Sequence, residues 1–526
     1  MRDFHRPNRS GVFARNGICA TSSPIAAGVA VRMMEEGGNA VDAAIAAAVV
    51  LGLTEPASTG IGGDMFALVK PAGEERIVGL NASGRAPAAL TAAKLRAEGL
   101  AAIPLESPHA VTIPGAVDGF FRLSHDWGRL GLAAALAPAI RYAEEGVPVG
   151  PRAAFDWSVS GGRLSGDGAR YYLANGKPYG LGAMFRAPGQ AEVLKRVARD
   201  GRAGFYEGEV MEDMLASLRA LGGVHEAEDF TGASCDYVEP VSSMYRGWEL
   251  VEIPPNGQGV TALLLAKILS HFDLASLDPW GAERAHIEAE ATKLAYDARG
   301  RYVADPAFAK TEKMLSDEMA AKLAALIDPN KAMPTPPAAA EAIHKDTVYL
   351  TTADRDGMVV SMIYSTFHPF GSGLASQKFG INFQNRGAGF VLTEGHPNEL
   401  NPKKRPLHTI IPAMIRKDGK VSVSYGVMGG QYQATGHARM LTALADYGME
   451  PQEALDGPRC FADPFDGKLH IERGYSEEVR AALAAKGHDL LIPETPLGGG
   501  QMIRIHENGV YEGGSDPRKD GAAVGW

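Results

Sequence analysis

Cysteine is scarce in this chain: three among 526 residues, Cys19, Cys235 and Cys460. They lie far apart and none falls in C-x-x-C spacing, which excludes a disulfide framework and a cysteine-rich zinc centre. The 14 histidines show no H-E-x-x-H or comparable ligand spacing, so neither a metal nor an organic cofactor is expected. Long apolar runs are missing too. The most apolar stretch, Ala43 to Leu53, is too short to span a bilayer. The basic residues of MRDFHRPNRSGVFARNG lead into no apolar segment of the secretory type. These two absences lead to the expectation of a soluble, cytoplasmic protein with no membrane partner. Basic clusters go no further than Lys403-Lys404-Arg405 and the net charge is −10, so nucleic acid is not an expected partner. No internal repeat is visible.

What is present is an ordinary globular composition, 45 % apolar and 22 % charged, long enough for a large core. Ser23-Pro24 and Asn39 read as the starts of two helices between residues 21 and 53, separated by Gly37-Gly38. The second is small and apolar on every face, the mark of a buried helix. Periodicity predicts helices over Gln190–Arg199, Met211–Leu221, Val260–His271 and Ala282–Tyr302, with a strand pair at Tyr237–Pro240 and Trp248–Ile253. A Pro- and Ala-rich stretch, Asp328 to Ile343, then precedes short strands: Thr347–Ala353, Val359–Tyr364, Ile381–Phe383, Ala413–Arg416 and Val421–Tyr425. Helices return at Ala434–Tyr447 and Ser476–Lys486, and Met502–Ile505 with Gly509–Glu512 reads as a closing hairpin. Strands and helices cluster instead of alternating, so the fold class is α+β with antiparallel strands.

Four features point to chemistry. Asp346-Thr347 puts a hydroxyl at the start of a strand, directly behind the loose stretch. If that bond were cut, Thr347 would become a chain terminus whose α-amino group, with a pKa of about 7.7–8, takes the proton of its own hydroxyl; threonine activated in this way is a known nucleophile arrangement. Gly429-Gly430 follows a strand, and two glycine N–H groups aimed at one point make an oxyanion hole. Arg85 and Arg386 each lie among glycines, where a guanidinium fork can grip a carboxylate. His408-Thr409 offers two hydrogen-bonding side chains in a loop before an apolar strand. By contrast, GIGGDMF (Gly60–Phe66) lacks the G-x-G-x-x-G spacing and runs into a strand, so it reads as close backbone packing and not as a phosphate loop.

In combination with GGNAVDAAIAAAVVLGLTEPASTGIGGDMF, VTIPGAVDGF, YRGWELVEIPPNGQGVTALLLAKIL, HIEAEATKLAYDARGRYVADPAF, FGSGLASQKFGINFQNR, KKRPLHTIIPAMI, GVMGG and GGSDPRKDGAAVGW, these features make the chain resemble the γ-glutamyltransferase family of N-terminal-nucleophile hydrolases. The resemblance runs nearly end to end. It implies a proenzyme that cuts itself before a threonine, giving pieces 1–346 and 347–526 that stay together as a four-layer αββα sandwich and possibly pair into a dimer of such heterodimers. It assigns Thr347 as nucleophile, Gly429 and Gly430 as the oxyanion-hole pair, and Ser365 as the counterpart of a second, assisting threonine.

The departures bear on substrate. Members that bind γ-glutamyl groups present an acid in a run like Asn-Gln-Met-Asp-Asp-Phe; here Asn385 and Arg386 open the run Asn385-Arg386-Gly387-Ala388-Gly389-Phe390, which has no carboxylate. Phe367 replaces an asparagine, His408-Thr409 replaces a Ser-Ser pair, and Ser83 takes the slot of the usual arginine with Arg85 two residues on. The resemblance therefore implies a small anionic amide, as in the branch of the family that splits oxamate. Arg85, Asn385, Arg386, His408 and Thr409 are the expected substrate contacts. γ-Glutamyl transfer or glutathione hydrolysis, other acylase chemistry such as β-lactam side-chain removal, and an uncut, inactive binding homologue stand as alternatives.

Overall fold

In a computed structural model, which describes residues 5, 8–334 and 347–526, the chain builds two seven-stranded sheets packed face to face. Asp346 and the part of the Pro/Ala-rich stretch from residue 335 onward lie outside the described residues. One sheet runs, in spatial order, Val12–Ala14, Tyr511–Ser515, Gly499–Ile505, Lys420–Met428, Ala413–Lys417, Trp248–Glu252, Val241–Tyr245. The other runs Ala522–Gly525, Gly17–Thr21, Val348–Asp354, Val359–Ser365, Asp64–Lys70, Val78–Ala82, Asp236–Val238. All pairs within both sheets are antiparallel. Both sheets draw strands from before and after position 347, so the two segments interleave throughout.

Helices cover the two outer faces, which completes the α+β layering expected from the sequence. Ala40–Thr54 is buried at every position and packs on the Val348–Asp354 and Val359–Ser365 strands. A helix whose residues are nearly all small and apolar gains little from water on any side, so it belongs between layers. Its start is fixed by a capping box: Asn39 accepts from the Val41 and Asp42 amides while Asp42 accepts from the Asn39 amide, an arrangement worth about 1 kcal/mol. The Ala40 amide donates to Asp354 Oδ2 at 2.9 Å, and Thr352 Oγ1 donates to the Ala40 carbonyl at 2.8 Å. The helix start is thereby tied to the end of the central strand. On the other outer face Gly259–Leu269 and Gln433–Ala445 cover the first sheet.

Three expectations need correction. Ser23 occupies the N-cap position of Pro24–Glu35, but its side chain makes no capping bond. The strands near residues 237 and 248 do not pair with each other: Asp236–Val238 joins Val78–Ala82 in one sheet, whereas Trp248–Glu252 pairs with Val241–Tyr245 in the other. Pro240 lies at the crossing and has no N–H to continue a ladder. Ile381–Phe383 is not a strand of either sheet. It folds back on the preceding loop, with the Phe383 amide bonded to the Leu374 carbonyl at 3.0 Å and the Ser376 amide to the Ile381 carbonyl at 2.9 Å. Glycines with φ of +55°, +72° and +67° at Gly371, Gly373 and Gly380 turn the chain too tightly for a ladder.

Candidate active site

Thr347 stands directly ahead of Val348–Asp354, in the middle of its sheet. Val348 is paired with Tyr364, so the antiparallel register brings Thr347 opposite Ser365, the last residue of the neighbouring strand. Cross-strand partners on one face are within contact range, and the Thr347 hydroxyl donates to Ser365 Oγ at 3.2 Å. Both residues are buried. Ser365 Oγ also accepts from the Phe367 amide at 2.9 Å, which holds it in place beside Thr347. A hydroxyl so placed can steady the oxygen of Thr347 as charge builds on it. Ser365→Ala is expected to lower turnover about 10- to 100-fold, measured as kcat on processed protein; the loss is the usual worth of one charge-assisted hydrogen bond.

Phe367 has φ of +83°, a conformation that a bulky side chain adopts only when its surroundings impose it. Its ring is the platform for Arg386, whose guanidinium carbon sits 3.9 Å from the ring centroid. Arg386 is wholly buried. One arm, Nη1, donates to Thr409 Oγ1 at 2.8 Å, while Nε and Nη2 have no partner among the described residues. Burial lowers the proton affinity of this group, and the Asp64 carboxylate opposes the shift. Two N–H groups on one edge of a guanidinium have the geometry to bind a carboxylate through both of its oxygens.

Asp64 is a functional candidate that sequence reasoning passed over, and it organises the surroundings. Its Oδ1 accepts from the Gly84 amide (2.9 Å), the Gly115 amide (3.2 Å) and Gln384 Nε2 (2.8 Å), and its Oδ2 meets His408 Nε2 at 3.1 Å. The available signal was a carboxylate inside the glycine-rich GIGGDMF turn. There the glycines clear space: a Cβ at Gly62 would fall 2.1 Å from the Asn382 carbonyl oxygen, and one at Gly63 2.5 Å from that of Ser365.

His408, one of the expected substrate contacts, carries no positive charge. Burial, joined by the Arg386 charge, pushes its imidazolium down to about 3 against the pull of Asp64. Both ring nitrogens are engaged, Nε2 with Asp64 and Nδ1 by the Ile410 amide at 3.4 Å. It is a neutral brace between Asp64 and the Thr409 loop. Arg85 also departs from expectation. It turns outward, with a side chain 41 % exposed and paired to Asp236 at 3.4 Å and Asp305 at 3.9 Å, so nearby carboxylates already take up its charge. Asn385 stabilises its own loop, accepting from the His368 amide at 3.2 Å and donating to the Leu105 carbonyl at 3.2 Å.

Gly429 and Gly430 follow Lys420–Met428 in a turn with φ of +112° and +56°, which only glycine adopts at both positions without strain. A Cβ on Gly429 would come 2.8 Å from Gly498 Cα. The strand leading in is pinned from beneath: the Val427 amide donates to His437 Nε2 at 3.1 Å, and His437 Nδ1 bonds Glu252 at 2.7 Å. Because Nε2 accepts, Nδ1 carries the proton. Gln258 Nε2 reaches both the Gly430 carbonyl (3.0 Å) and the Thr409 carbonyl (2.7 Å), and Arg299 orients it through Gln258 Oε1 at 2.7 Å. Gln258 thus ties the glycine turn to the Arg386–Thr409 side. A hydroxyl, an adjacent second hydroxyl, a glycine turn and a buried guanidinium together suit acyl transfer from an amide.

Two side-chain groups among the described residues have the donors for a metal ion, His286 with Glu290 and His488, and Asp463 with Asp466 and His470. In the first, His286 bonds His488 at 2.8 Å and the Asp328 carbonyl at 2.7 Å, while Glu290 takes Lys293 at 2.7 Å and the Met333 amide at 2.7 Å. In the second, His470 bonds Asp466 at 2.7 Å. No helix among the described residues is long and apolar enough to cross a membrane.

The chain is similar to known proteins along nearly its whole length. The family model described as gamma-glutamyltranspeptidase matches residues 26–526. A glutathione hydrolase-like YwrD proenzyme of Bacillus subtilis is 35 % identical, the match covering 94 % of this chain and 95 % of that protein. An oxamate amidohydrolase proenzyme of Klebsiella pneumoniae is 33 % identical over 97 % of this chain and 98 % of its own. Among solved structures, a cephalosporin acylase from Bacillus halodurans superposes with a TM-score of 0.93 at 38 % identity, covering 100 % of this chain and 99 % of that one.

Proposed function

We propose that this chain, which belongs to the gamma-glutamyltranspeptidase family, is a self-cleaving threonine amidohydrolase whose substrate carries a carboxylate next to the scissile amide, as oxamate does. The coarser part of that reading is secure: relatives and structural neighbours are amidohydrolases, glutathione hydrolases and acylases made as proenzymes, and this chain is an amide hydrolase or transferase. The observation that carries the finer part is Arg386, buried with two unmatched N–H groups beside Thr409 and over the Phe367 ring.

The chemistry runs in two stages. The Thr347 hydroxyl attacks the Asp346 carbonyl, the acyl group moves from nitrogen to oxygen, and water hydrolyses the resulting ester, leaving Thr347 with a free α-amino group. Pieces 1–346 and 347–526 stay joined because each contributes strands to both sheets. In the processed enzyme the Thr347 amine takes the hydroxyl proton as Oγ1 attacks the amide carbon. The Gly429 and Gly430 N–H groups hold the oxyanion, each such donor being worth about 3–4 kcal/mol. The amine leaves with a proton, and water releases the acid from the acyl-enzyme. Arg386 grips the carboxylate on the adjacent carbon and sets the reacting carbonyl in place.

The Thr347 amine is the base, and His408 stays neutral across the working range. We therefore expect kcat/KM to rise with pH through a single limb near the free α-amino value, about 7.7–8, in a pH–rate series. A limb that moves with His408→Gln would overturn this. The names of several relatives favour glutathione hydrolysis as a second reading. Against it, residues 385–390 hold no acid to meet an α-ammonium, and Asp64 already accepts four donors. An unmatched ammonium costs several kcal/mol. Side-by-side assay of ammonia release from oxamate and anilide release from a γ-glutamyl anilide should favour oxamate by about 100-fold or more; the reverse order would select the second reading.

A further inference from the structure

Resting on that reading, we propose that the preferred substrates are oxamates substituted on nitrogen by a bulky, largely apolar group, and that this amine half occupies a cleft beside Gly429. The cleft has a volume of about 530 Å³, and Gly429 forms part of its wall. Tyr432, Phe461, Phe465, Leu491 and Ile492 give it apolar surfaces, and Arg163 stands at one side. Two buried polar atoms there, Arg163 Nε and Thr495 Oγ1, have no partner among the described residues, although Arg163 Nη2 pairs with Glu106 at 2.9 Å.

Three steps lead from this cleft to the amine half. Ammonia is a water-sized leaving group needing about 30 Å³, whereas clefts of a few hundred Å³ and more hold ligands with many atoms. The reacting carbon bears four groups in the tetrahedral state: Oγ1 of Thr347, the oxyanion, the carboxylate-bearing acyl carbon and the departing nitrogen. The oxyanion points at the Gly429–Gly430 turn and the acyl carbon at Arg386, which does not line the cleft. The nitrogen substituent is the group left to fill it. Its aromatic and aliphatic side chains suit an aryl or benzyl group, and the charged side chains among them, Arg152, Asp463, Asp466, Glu494 and Lys519 besides Arg163, offer partners for one polar atom on it. The bonds broken and formed are those of simple hydrolysis: the C–N bond opens, the nitrogen leaves protonated as the amine, and oxalate is the acid product.

The test compares oxamate, N-benzyloxamate and N-acetylbenzylamine on wild type and on Ile492→Trp, which narrows the cleft from a residue 43 % exposed. Wild type should cleave N-benzyloxamate with kcat/KM about tenfold above oxamate, the gain from burying one ring being partly offset by ordering it. Ile492→Trp should remove that advantage about tenfold while leaving oxamate within about threefold, which also certifies that the variant is folded and processed. Equal or lower efficiency on N-benzyloxamate than on oxamate, or a parallel fall for both in the variant, overturns the amine-cleft assignment and leaves the oxamate reading standing. Turnover of N-acetylbenzylamine without either oxamate overturns the oxamate reading itself, and this inference with it.

Discussion

Thr347→Ala is expected to leave one uncut chain of 55.6 kDa and to remove turnover by on the order of 10⁶-fold, the size seen when an enzyme loses its nucleophile. The reason is local. Ser365 Oγ lies 3.2 Å from the Thr347 hydroxyl and survives the substitution, but it sits inside the chain at the end of a strand. It has no α-amine of its own, so it remains a neutral alcohol with no base to take its proton. The oxyanion turn and Arg386 are untouched and still bind substrate, which leaves a weak background above the reaction in water. Mass spectrometry of the purified protein reads the cut, and a product assay reads turnover. Thr347→Ser keeps both the hydroxyl and the position of the future amine, so it should mature more slowly and then work. A Thr347→Ala protein that still divides before position 347, or wild-type protein that turns over substrate as one whole chain, would sink the assignment.

Much of this was legible before any coordinates. The strand ahead of which Thr347 sits, its hairpin partner ending at Ser365 and the Ala-rich helix behind them follow from local pattern, because each is a run whose periodicity and flanking turn residues agree. Gly429-Gly430 was legible as a turn after a strand, and both glycines have positive φ; such a pair is most often only a turn, and the oxyanion-hole role came from the family resemblance. What the pattern did not carry was partnership across long sequence distances. Arg85 and Arg386 look alike in sequence, each in a glycine-rich stretch. They differ because Asp236 and Asp305 reach Arg85 from more than 150 residues away, while no acid among the described residues forms an ion pair with Arg386. His408 read as a hydrogen-bonding contact for substrate, but its Nε2 is taken by Asp64, and burial with the Arg386 charge keeps the ring neutral against the pull of that carboxylate. Asp64 and Gln258 were passed over since their roles consist of bonds to residues 20 to 344 positions distant. The two strands near 237 and 248 were rightly placed but assigned to one sheet, because composition does not show which of two stacked sheets a short strand will join.

The same isolation makes Arg386→Met the more revealing variant. The guanidinium is buried and bonded through one arm to Thr409 Oγ1; its Nε and Nη2 have no partner among the described residues, and its charge is eased by the Phe367 ring and by Asp64. A buried charge lacking a full set of partners costs several kcal/mol of folding free energy, and replacing such a group by an apolar one of similar volume is often neutral or stabilising by about 1–4 kcal/mol. Arg386→Met should therefore raise the denaturation midpoint of the substrate-free enzyme. It should also lower kcat/KM for oxamate by about 10³-fold, the combined worth of two charge-assisted hydrogen bonds. Maturation tests the interpretation separately. The cut before Thr347 needs no substrate carboxylate, so the variant should still appear as two pieces. Arg386→Lys keeps the charge without the fork and should fall between, at about 10–100-fold below wild type. A variant that loses stability while keeping its oxamate turnover would mean that Arg386 is an ordinary structural cation. A gain in stability alongside the loss of activity would mean that the fold carries this charge at a cost, for the anion it receives.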